Sequence, residues 1–76
     1  MSDLSERIMK LTSYYIGSVA PRFLERQTIS HLNGLKFAEI EKKHIPELVK
    51  WVNISAGLII DKTKPQELAN KIAVLA

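Results

Sequence analysis

Apolar residues recur at helical spacing along most of this chain. Leu4, Ile8, Leu11 and Tyr15 follow one another at intervals of four, three and four, which puts them on one face of a helix predicted from about Leu4 to Ile16. Asp3, followed three residues later by Glu6, reads as a capping box at its start. Gly17 is a natural stop, because it accepts a left-handed backbone without a Cβ penalty. A second helix is predicted from Val19 to Leu32. Ser18 is its candidate cap, and Pro21 is tolerated in a first turn that needs no donor at that position. Its inner side is Val19, Ala20, Phe23, Leu24 and Leu32, and its wet side is Arg22, Glu25 and Arg26. Asn33-Gly34 then ends it.

Residues 35–43 carry a weaker signal. Phe37 and Ile40 fit a short helical turn with Glu39, Glu41 and Lys42 outside, or a loop with a 3₁₀ turn. The third helix, Pro46 to Ile60, has the broadest apolar surface. Leu48, Val52, Ser55 and Ile59 can face the core, with Val49, Ala56 and Ile60 on its flank. Trp51, Ile54 and Leu58 form a second stripe roughly 60–120° away at about 100° per residue. Lys50, Asn53, Gly57 and Asp61 hold only a narrow polar strip. A helix with so little polar circumference is expected to be central or covered by a partner. A fourth helix is predicted from Lys64 to Leu75, with Leu68, Ala69, Ile72 and Leu75 inside and Thr63 to Gln66 as a capping box around Pro65. No run alternates long enough for a strand. The expected architecture is all-α, a compact bundle of about four helices with the third at its centre, over residues 1–76 as a single domain.

Size sharpens this picture. A chain of 76 residues has a thin core, because small domains bury a smaller share of their surface than large ones. Such domains gain stability from disulfides, a metal or oligomerisation. With no cysteine in the sequence, disulfides and thiolate metal sites are excluded, and oligomerisation is the device left. The same absence fits a reducing cytoplasm, which is the expected location. Asp3, Glu6, Arg7 and Lys10 interrupt any signal-peptide run, and Leu58-Ile59-Ile60 is far shorter than the ~20 apolar residues of a membrane span.

Candidate chemistry is sparse. His31 and His44 lie thirteen residues apart, without the i, i+3 or i+4 histidine partner that helical metal sites use. Even with Glu41 beside His44, no metal is expected. The serines lack a nucleophile-elbow context, and the three glycines form no phosphate loop. No catalytic residue, cofactor or small-molecule ligand is therefore predicted, and the chain is not expected to be an enzyme. The net charge is +3, from 11 Lys and Arg against 8 Asp and Glu. Arg22 and Arg26 share a helical face, and Lys42-Lys43 sit together, so these four are the possible anion or nucleic-acid contacts. Glu25, Glu39 and Glu41 dilute them, and a solvated mixed-charge surface is the preferred reading. The stripe of Trp51, Ile54 and Leu58 is the candidate interaction surface, since tryptophan is enriched where proteins meet. A homodimer or another protein is the expected partner.

The segment from Leu11 to Arg26 resembles a short helical accessory module of bacterial serine/threonine kinases and other signalling regulators. That pattern runs aromatic, aliphatic, Gly, Pro, aliphatic and Ala before an apolar helix. Tyr15, Ile16, Gly17, Val19 and Ala20 stand in the matching places, while Ser18 replaces the proline and Pro21 comes three residues late. The resemblance implies a bacterial regulatory or interaction module with no catalytic residue to carry over. The leading expectation is thus a non-enzymatic, self-associating interaction module, with a small basic nucleic-acid-binding protein as the alternative.

Overall fold

The computed structural model describes residues 3–60 and 63–75, and over these the backbone is helical with no strand. Four α-helices are present: α1 (Asp3–Ile16), α2 (Ala20–His31), α3 (Ile45–Ala56) and α4 (Thr63–Ala73). They fall into three long helical stretches rather than four separate rods. A 3₁₀ turn at Gly17–Val19 joins α1 directly to α2, and another at Lys42–His44 leads straight into α3. The body measures 28 × 22 × 22 Å.

Gly17 makes the first bend. Its φ of +71° is left-handed, a conformation that costs an L-residue with a side chain roughly 1–2 kcal/mol. Ser18 does not cap α2; it lies within the 3₁₀ turn, and no side chain caps that helix. Pro21 occupies its first turn, as the missing N–H permits. At the far end, Asn33 and Gly34 both have positive φ, 57° and 75°. The Gly34 N–H reaches back to the Ile29 carbonyl at 3.1 Å, the long closing bond of a Schellman stop.

Each helix packs chiefly against two others, α1 on α2 and α4, and α3 on the same pair. The third helix is therefore one side of a four-sided arrangement and not its centre. Ile45, Leu48, Val52 and Ala56 are its buried row, and they meet Ile8 of α1, Leu24 of α2, and Leu68 and Ile72 of α4 in one core. Phe37 and Ile40 complete that core from the connector. Two short 3₁₀ turns, Phe37–Glu39 and Lys42–His44, let these side chains drop inward without a full helix.

Helix α3 also ends earlier than its periodicity suggests. Beyond Ala56 the chain tightens into turns, with Leu58 N–H on the Ser55 carbonyl at 3.1 Å and Ile59 N–H on the Ala56 carbonyl at 2.9 Å. Gly57, a poor helix former, sits at the break. The turn rotates Ile59 off the inner row, and it is 52% exposed instead of buried. Asp61, which the pattern assigns to the polar strip of this helix, lies outside the described residues.

Buried polar groups are the other departure from the pattern. Ser5, Thr12, Gln27 and Thr28 are all buried. Thr12 Oγ1 donates to the Ile8 carbonyl at 2.8 Å and Thr28 Oγ1 to the Glu25 carbonyl at 3.1 Å, returning each hydroxyl to its own helix. Ser55 Oγ donates to Gln27 Oε1 at 2.9 Å, a bond that ties α3 to α2. Glu25, expected on the wet side, is half-buried because its carboxylate accepts the Phe37 N–H and anchors the connector.

Candidate interaction surfaces

The second stripe of α3 divides in the structure. Trp51 is half-buried, because His31 of α2 lies over its ring with centroids 3.7 Å apart and planes 3° from parallel. Its indole N–H donates to Glu47 Oε2, one turn back, at 3.1 Å. The Lys50 ammonium stands 5.3 Å from the ring centroid, within reach of a cation–π attraction. Trp51 thus spends one face joining α2 to α3. Ile54 and Leu58 have no such cover and are 53% and 88% exposed.

Ile59, turned outward by the break at Gly57, lines the same groove as Val19 of the α1–α2 bend. With Phe23, Arg22 and Arg26 they line an open groove of about 270 Å³. Arg22 and Arg26 thereby rim an apolar groove. The other basic pair is elsewhere. Lys43 pairs with Glu41 at 3.4 Å, and Lys42 lines a different groove with Asp3, Leu4, Arg7, Val74 and Leu75. The structure does not join the two basic pairs into one face. Neither histidine meets the other: His31 stacks on Trp51, and His44 Nδ1 accepts the Glu41 N–H at 2.9 Å, capping the 3₁₀ turn that leads into α3.

A third surface, absent from the sequence reading, runs along the seam of α1 and α4. Tyr15 O–H donates to Glu67 Oε2 across 52 positions of sequence. That hydrogen bond, assisted by the charges of Lys64 and Lys71 and opposed by desolvation, holds the Glu67 carboxyl below its ordinary value of 4.5. Tyr15 in turn raises the Lys71 ammonium above its ordinary value, through hydrogen bonding first and charge second. Tyr14, 78% exposed, meets Tyr15 edge to face at 5.3 Å. Nothing in the local periodicity could reveal this site, because its two banks lie at opposite ends of the chain.

Among the described residues, no group of three or more His, Cys, Asp or Glu is placed to hold a metal ion, and no helix is long and apolar enough to cross a membrane. No known protein family matches the chain, and no solved structure matches it. The chain is similar to part of a mitochondrial Lon protease homolog of Scheffersomyces stipitis. The two are 32% identical over 66 residues, a match covering 82% of this chain and 6% of that protein. The chain thus spans a small fraction of the length of the relative it resembles.

Proposed function

We propose that this chain is a non-enzymatic helical interaction module of cytoplasmic regulation that associates with a second copy of itself through the outer end of α3. The observation carrying this reading is the exposure of Val19, Ile54, Leu58 and Ile59, at 49%, 53%, 88% and 52%. Ile59 and Val19 share a groove, and Ile54 and Leu58 occupy neighbouring turns at the same helix end. Contiguous apolar surface on a soluble domain marks a contact site. A second copy is the simplest occupant, since two-fold self-complementary contacts are the commonest closed assembly and a thin core gains from the added burial. The resemblance of residues 11–26 to an accessory module supports the same reading.

Multi-angle light scattering across a range of concentrations tests it. The wild-type chain should run as a dimer. Leu58→Asp and Ile54→Glu should each run as monomers with unchanged far-ultraviolet circular dichroism, because both side chains are outside the core. A wild-type chain that stays monomeric at high concentration would overturn the proposal.

A further inference from the structure

We infer that the seam between α1 and α4 is a binding track for a single-stranded polynucleotide. This proposal concerns a different surface from the dimer contact and stands independently of it. Three grooves share their lining residues along this seam. The middle one holds Lys10 and Leu11 and shares Tyr14, Tyr15 and Lys71 with the groove that adds Lys64 and Glu67. It shares Arg7 and Leu75 with the groove that adds Asp3 and Lys42. The α1 bank runs from Asp3 to Tyr15, about 18 Å at 1.5 Å per residue.

Five cations line this track: Lys42, Arg7, Lys10, Lys71 and Lys64. Among the described residues, two carboxylates line these grooves, and both are engaged. Asp3 pairs with Arg7 at 3.2 Å. Glu67 accepts the Tyr15 hydroxyl and stands 4.0 Å from Lys64. Much of the chain's positive excess therefore gathers on one concave strip, although its cations are scattered from position 7 to position 71.

The strip also offers a ring. Tyr14 presents most of its surface to solvent, held edge-on by Tyr15, with the Lys71 ammonium 5.5 Å from the Tyr15 centroid. A cationic groove that follows a phosphate backbone, with an exposed aromatic side chain for a base to stack on, is how single strands are held without sequence readout. Duplex is disfavoured, because its bases are paired inside and cannot reach Tyr14. An acidic amphipathic helix fits less well. Its apolar face would want a continuous apolar floor, and here charged side chains interrupt that floor at both ends.

Fluorescence anisotropy with labelled oligo-dT and oligo-U of about twelve nucleotides, against a hairpin duplex of similar length, tests this. Both single strands should bind at about 50 mM salt, more tightly than the duplex, with affinity falling as salt rises. Comparison of both with oligo-dU separates recognition of the sugar from recognition of the thymine methyl group. Lys10→Glu combined with Lys71→Glu should lower affinity at least tenfold and flatten the salt dependence. Tyr14→Ala should lower it roughly five- to hundredfold, from the loss of one stacked base, and Tyr14→Phe should restore it. Arg22→Ala with Arg26→Ala should bind like wild type. All these side chains are on the surface, so circular dichroism should remain native. The proposal fails if no single strand binds, if duplex binds equally well, or if Tyr14→Ala binds like wild type. It also fails if Arg22 and Arg26 account for the binding, or if polyglutamate of matched charge displaces the strand as readily as unlabelled strand.

Discussion

The imidazole of His31 lies flat on the indole of Trp51, with centroids 3.7 Å apart and planes 3° from parallel. This contact changes what the tryptophan does. As part of an apolar stripe on α3, Trp51 reads as a residue waiting for a partner. In the fold, one of its faces is already taken by the last residue of α2, and its N–H is taken by Glu47.

Removing the imidazole should therefore expose the indole. His31→Ala is expected to shift Trp51 emission to longer wavelength and to cost about 0.5–1.5 kcal/mol, the range for a stacked aromatic pair. As Trp51 is the only tryptophan, the spectrum reports this site alone. Unchanged emission together with an unchanged melting temperature would show that the stack contributes nothing.

Gln27 is 4% exposed, and its Oε1 receives the Ser55 hydroxyl at 2.9 Å. Ser55→Ala leaves that buried oxygen without its donor, so a loss of about 1–3 kcal/mol is expected in urea unfolding, the cost of an orphaned buried polar group. Ser30→Ala, on the exposed side of α2, is the control and should move the midpoint little. Equal midpoints for the two variants would refute the bond between α2 and α3.

The bend at Gly17 rests on backbone conformation alone. A Cβ built there meets nothing within 4 Å, yet φ is +71°. Gly17→Val should cost about 1–2 kcal/mol through left-handed strain and not through a clash. A melting temperature equal to wild type would mean that the bend relaxes freely.

The Tyr15–Glu67 bond predicts a pH dependence with a definite sign. The folded state holds the Glu67 carboxyl below 4.5, first by the Tyr15 hydrogen bond and then by Lys64 and Lys71. Its contribution is thus fully present above the unfolded value, near neutral pH, and is lost as pH falls through the depressed folded value. Tyr15→Phe should lower the melting temperature at pH 7, and the difference from wild type should shrink on acidification below about pH 4. A difference that is constant with pH would place the effect in packing and not in the charge.

The sequence alone determined the helical character of the chain, the left-handed turn at Gly17, the stop at Asn33-Gly34 and most of the inner rows. Ile8, Leu24, Leu48, Val52, Leu68 and Ile72 were all legible, because a 3.6-residue period and turn-specific residues are local signals. The tertiary structure decided what depends on which helices meet. Packing α3 beside α2 and α4 made it a flank of the fold, and the early break at Gly57 sent Ile59 outward. The same packing brought His31 over Trp51 and buried Gln27 opposite Ser55. The α1–α4 seam is the clearest case. Tyr15 and Glu67 are 52 residues apart in the chain, so only the closure of the last helix onto the first places a hydroxyl against a carboxylate and gathers distant cations along one groove. Periodicity reports which side of a helix avoids water; it carries no information about which other helix that side will meet.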